Sequence, residues 1–198
     1  MKTTARTFGC RVAAAVGAFA LALVGLGGTT TTARAADLGN IDSGRTGSLL
    51  IHKHESGSQS ADGTPDGQTP SGGAGVADVV FTAYKITNLD LTTQAAWDGL
   101  KNQQVPADAC GADYASPSLG SYTFDGGTAS GSTDAQGDTT IGGLPVAAYL
   151  VCETSAPSTV KTKAAPFLVT VPFPNNSTNA ANGNGEWLYD VNVYPKNT

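Results

Sequence analysis

Apolar residues come along this chain in short bursts that alternate with polar neighbours, the period of strands with one buried face. Such bursts at residues 47–55 (GSLLIHKHE), 78–87 (DVVFTAYKIT), 119–125, 146–154 (VAAYLVCET), 166–173 (PFLVTVPF) and 186–194 predict strands. Between the first two, the Gly/Ser/Asp/Pro tract 56–77 reads as a long exposed loop. Residues 90–104 (DLTTQAAWDGLKNQQ) are the one place where a short helix is expected, with Asp90 or Thr92 as its N-cap. Asp134-Ala135-Gln136-Gly137-Asp138 and Gly142-Gly143 mark turns into the following strand. Near the end, Val191 and Val193 alternate with polar or aromatic neighbours, and Pro195, which cannot donate to a sheet ladder, should end pairing just before Lys196. Many short strands with frequent turn residues argue for an all-β sandwich with long loops and one short helix. There is no internal repeat.

The N-terminus changes this picture. Lys2, Arg6 and Arg11 precede an uncharged apolar run, residues 12–28, and Ala33-Arg34-Ala35 supplies small residues for cleavage. Residues 1–35 therefore read as a secretory signal peptide; the run is short and Gly/Ala-rich for a membrane span. Removing it takes four positive charges, leaving residues 36–198 with 7 Lys+Arg against 16 Asp+Glu, a net charge of −9. That balance repels nucleic acid and anionic lipid and suits a secreted, surface-displayed protein. The remaining 163 residues fit one domain with a real core. Two cysteines stay behind, Cys110 and Cys152, and in an export context they should pair. No metal site is expected, because only His52 and His54 could join them and no ligand spacing is present. Asp62, Asp66 and Asp78 lack calcium-loop spacing and read as solvated loop charges. No cofactor motif appears.

Strand parity gives the sharpest chemical expectation. Leu49, Ile51 and Lys53 share one face of the first strand, and His52 and His54 share the other. Tyr149, Val151 and Glu153 share a face, with Cys152 opposite, so its partner should come from the irregular 105–118 segment lying over the sheet. In the last strand the face of Val191 and Val193 continues through Pro195 to Asn197, which turns Lys196 outward. An amine, a carboxyl and a carboxamide thus each end an apolar row, where a lone charge would be costly. That trio suits spontaneous Lys–Asn isopeptide chemistry. A buried lysine loses its proton and becomes a nucleophile, and a buried glutamic acid polarises the carboxamide and shuttles protons as ammonia leaves. Lys85, ending the row Val79-Phe81-Ala83, is the second candidate amine, and Asn192 the second candidate amide.

Two stretches carry a family resemblance. Trp187, Val191, Val193, Tyr194, Pro195 and Lys196 match, at fixed spacing, the pilin motif W-x3-V-x-V-Y-P-K of Gram-positive backbone pilins. Residues 149–157 (YLVCETSAP) resemble the E-box of these pilins, Y-x-L-x-E-T-x-A-P. They depart from it at Val151, and Thr159-Val160 replaces the following Gly-Tyr; upstream, Gly143-Leu144-Pro145 resembles the entry to that strand. The resemblance covers residues 47–197 and is to the N-terminal domain of a sortase-assembled pilin. It implies an Ig-like, CnaB-type β-sandwich and partnership with other pilin subunits and a pilin-specific sortase. It implies that Lys196 is the nucleophile joined to the neighbouring subunit and that Glu153 promotes an internal crosslink, which strand parity assigns to Lys53 and Asn197. It also implies a cell-surface, cell-wall pilus. A complete backbone pilin continues into further domains and a sorting signal, so this chain resembles a first domain, able to accept a bond at Lys196.

Two other function classes compete. The same sandwich could serve as a secreted adhesin that displays loops 56–77 and 173–185 to a host surface ligand; consumption of Lys196 in a covalent oligomer separates the readings. Catalysis on an external substrate has little support, since there is no nucleophile elbow and both histidines lie two apart on one strand face. Self-catalysed crosslinking is a single maturation event, and the chain is expected not to be an enzyme.

Overall fold

The computed structural model describes residues 40–55, 63–68, 72–175 and 186–196. The expected signal peptide at 1–35 and Asn197 lie outside these residues. Among the described residues no helix is long and apolar enough to cross a membrane.

Two sheets face each other. The first has strand order β4-β1-β9, from Asp138–Pro145, Thr46–His52 and Asp190–Val193; β1 pairs antiparallel with β4 and parallel with β9. The second has order β3-β2-β5-β6, from Thr128–Ala129, Val80–Lys85, Ala147–Ser155 and Phe167–Val171, all antiparallel. A ribbon of β7 (Phe173–Pro174) and β8 (Trp187–Leu188) continues beyond β6.

Alternation decides what each face buries. From β1, Leu49 and Ile51 are fully buried; from the opposing sheet Phe81, Tyr149 and Val151 meet them, with Val191 of β9. Each such side chain contributes roughly 1.5–3 kcal/mol on burial. Strand β5 is buried on both faces. Its second face, Leu150 and Cys152, packs with Tyr84, Ala109 and Cys110 under the expected 105–118 cover. Cys110 and Cys152 form a disulfide there, with Cα atoms 6.0 Å apart and 42 residues between them in sequence. Helix α1, Gln94–Lys101, closes the remainder of that face with Leu91, Ala96, Ile86 and Ala148.

Several local expectations are corrected. The helix is capped by Thr93, whose hydroxyl accepts from the Ala96 amide, and not by Asp90 or Thr92; Asp90 instead accepts from the Thr92 amide one turn earlier. Residues 119–125 form no strand. Phe124 makes an isolated bridge to Ile86, Tyr122 and Phe124 are used as packing for the helix layer, and Leu119 is buried. The turn expected at Gly142-Gly143 lies instead inside a full strand, Asp138–Pro145. Its Gly142-Gly143 pair falls where the β1–β4 register shifts, and Gly143 has φ +69°, so the glycines serve a bulge within the strand. Pairing also does not end at Pro195: Lys196 resumes it with a parallel bridge to His54.

Candidate functional site

The parity of β1 carries one residue past the strand end, and Lys53 enters the core fully buried. Its backbone is fixed on both sides: Lys53 N donates to Gly137 O at 2.7 Å, and Val76 N donates to Lys53 O at 2.9 Å. From the opposing sheet β5 delivers Glu153, 2% exposed, at the end of the Tyr149-Val151 row. The two meet across the sandwich with Lys53 Nζ 2.9 Å from Glu153 Oε2, an oxygen that also accepts from Ala164 N at 2.9 Å. The other oxygen, Oε1, is buried and has no hydrogen-bond partner among the described residues. Burial pushes the Lys53 amine below its ordinary pKa, while the hydrogen bond and charge of Glu153 pull it back up to a lesser degree. A lysine with a depressed pKa has a larger neutral, nucleophilic fraction. At the other end of the same row, four residues before Glu153, Tyr149 donates to Pro145 O at 2.6 Å, and burial, with the charge of Asp125, pushes its phenol up.

The competing candidates are not brought to this pocket. Lys85 is half-buried and stands opposite Tyr149, whereas Glu153 stands opposite Phe81, four residues back along β2. Asn192 projects from the other face of β9, where its side chain meets His52 and Pro65 O.

The motif residues at the C-terminal end divide by role. Trp187 packs at a tilt against Trp97 of α1 with ring centroids 5.2 Å apart, so it fastens β8 to the helix. Val191 and Val193 pack into the core, and Pro195 is buried. Lys196 is half-buried and not fully outward as parity suggested, because its bridge to His54 draws the chain back onto the sheet. It sits at the rim of a groove of about 390 Å³ between β6 and β9, walled by Phe167, Val169, Phe173, Val193 and Pro195.

A third group escaped sequence reading. On the outer face of the first sheet, His52 Nδ1 lies 2.7 Å from Asp138 Oδ1 and Nε2 lies 2.8 Å from Asn192 Oδ1. The ring stacks on Tyr194 at 5.0 Å. The segment 63–68 lies over this cluster: Pro65 O accepts from both Asn192 N and Nδ2, and Thr64 O accepts from the Tyr194 hydroxyl at 3.3 Å. Alternation does place His52, Asn192 and Tyr194 on one face, but Asp138 and Pro65 arrive only through tertiary pairing. Among the described residues no cluster of His, Cys, Asp or Glu could hold a metal ion.

A two-sheet sandwich with a lysine at the end of its last strand and a buried Lys–Glu pair between its sheets has the build of Gram-positive pilin domains. The family model of the Gram-positive pilin subunit D1, N-terminal domain, matches residues 44–198, and the chain belongs to this family. It is 45% identical to the fimbrial subunit type 2 of Actinomyces naeslundii, over all of this chain and 37% of that protein. It is 35% identical to the fimbrial subunit type 1 of Actinomyces viscosus, over 80% of this chain and 27% of that one. The chain thus spans roughly a third of the curated relatives it matches. Among solved structures, the fimbrial protein FimP of Actinomyces oris aligns with a TM-score of 0.56 at 32% identity, covering 80% of this chain and 31% of that one. The full-length major pilin SpaD of Corynebacterium diphtheriae aligns with a TM-score of 0.51 at 30% identity, covering 80% and 31%. These relatives are fimbrial subunits and pilins, not enzymes.

Proposed function

We propose that this chain is the N-terminal domain of a structural subunit of a covalent surface pilus, exported with residues 1–35 removed. In this reading Lys196 accepts the sortase-held carbonyl of a neighbouring subunit. The observation that carries it is the setting of Lys196: directly after buried Pro195, at the rim of the β6–β9 groove, on a strand anchored to β1. The amine attacks the thioester carbonyl of the sortase-bound subunit. A C–N bond forms, the C–S bond breaks, and the amine's proton passes to a base while the sortase thiol is regenerated. The base that takes this proton belongs to the sortase.

An internal crosslink is part of the same proposal. Lys53 Nζ attacks the side-chain carbonyl carbon of Asn197, ammonia leaves, and Glu153 takes the lysine's proton and returns one to the departing nitrogen. The contact of Lys53 with Glu153 and the unpartnered Oε1 beside it support a further polar group in that pocket.

The test is conjugation with a cognate pilin sortase and an LPxTG peptide. Lys196→Arg should abolish the conjugate and Lys161→Arg should leave it intact. If Lys196→Arg were conjugated as well as wild type, the pilin assignment of that residue would give way to the adhesin reading.

A further inference from the structure

The hydrogen-bond roles in the His52 cluster are fixed by its surroundings. Pro65 O only accepts, so Asn192 must present Nδ2 to it and its carboxamide oxygen to His52. His52 Nε2 therefore donates. Nδ1 faces the carboxylate of Asp138, so it donates too. Both ring nitrogens carry hydrogens only in the imidazolium form. The ring ties β4 to β9 and supports the face of Tyr194, which is separated from Lys196 by Pro195 alone. Proline fixes φ at that link, so the orientation of Tyr194 is passed to Lys196 with little slack. Among the described residues, the titratable groups around the ring are Asp138 from β4, Tyr194 just after β9, Asp66 behind Tyr194 in the 63–68 segment, and His54 just after β1.

We propose that His52 is a positioning residue for the acceptor lysine: its doubly hydrogen-bonded ring clamps Asp138 to Asn192 and Tyr194, and thereby aims the end of β9 and Lys196. Loss of a ring proton removes one donor from the clamp and sets a lone pair against the Asp138 carboxylate or the Asn192 oxygen. Presentation of Lys196 therefore weakens whenever the ring loses one of its two donors. This rests on Lys196 being the acceptor.

The experiment measures kcat/KM for sortase conjugation of the wild-type domain and of His52→Gln from about pH 5.5 to 8.5. Wild type should exceed the variant by roughly tenfold at the acid end, within the hundredfold cost that misplacing a reacting group carries. The wild-type-to-variant ratio should fall toward one as pH rises; taking the ratio cancels any pH dependence the two proteins share. His52→Arg, which keeps donors at every pH, should retain activity with a flat ratio. Nitrogen NMR of the wild-type ring should show two N–H groups at the acid end. Strong conjugation with a pH-independent wild-type-to-Gln ratio, or a ring bearing a single N–H at the acid end, overturns the clamp. Absence of any conjugate at Lys196 in wild type, with both ring N–H groups present, overturns instead the acceptor reading on which the proposal stands.

Discussion

Removing the carboxylate of Glu153 tests the central pocket most directly. Glu153→Ala leaves the Lys53 amine, fully buried, without its 2.9 Å partner, and leaves the Ala164 amide without its acceptor. Breaking a buried pair by deleting one partner costs roughly 3–5 kcal/mol. An orphaned buried donor adds about 1–3 kcal/mol. For a domain of this size each kcal/mol moves the midpoint by about 2–4 °C, so the non-covalent loss alone should lower Tm by roughly 8–30 °C. The covalent part is read separately by intact mass. If Lys53 and Asn197 are joined, ammonia has left and wild type should weigh roughly 17 Da less than its sequence after disulfide correction, a deficit that Glu153→Ala restores. Peptide mapping should put the crosslink at Lys53 and Asn197. A wild-type mass equal to the sequence mass would remove the crosslink and leave a non-covalent pair. A Glu153→Ala protein melting within a degree or two of wild type would refute the energetic reasoning as well.

Two further outcomes follow from the same interior. The Cys110–Cys152 bridge closes a long loop, so Cys110→Ser with Cys152→Ser should cost about 4 kcal/mol on the chain-entropy model, seen as a lower denaturant midpoint; thiol labelling of the folded, unreduced wild type should give nothing. In Asn197→Ala, which cannot form the proposed crosslink, Lys53 stays a titrating amine with its folded pKa below its unfolded one. The unfolded chain then binds more protons, so stability should rise as pH climbs from the folded pKa toward the unfolded value of about 10.4. Urea midpoints from about pH 7 to 9.5 check this, and a midpoint that falls over that window would mean burial is not the dominant influence on Lys53.

The sequence by itself determined which side chains go inside. Alternation is local, so the rows Leu49-Ile51-Lys53 and Tyr149-Val151-Glu153 were legible without any partner strand, and both are buried as parity demands. The outward turn of Cys152 and the 105–118 segment over it followed from the same period. What alternation cannot supply is the identity of neighbours. Strand β4 was hidden because Gly142-Gly143 signals a turn when read alone, and only pairing with β1 makes it a bulge. The segment 119–125 has strand-like residues but spends them on the helix layer. The exposure of Lys196 depended on a bridge to His54, and the His52 cluster joins β1, β4, β9 and residues 64–65, which lie far apart in the chain. Those contacts are long-range pairings, and only the folded arrangement of the sheets decides them.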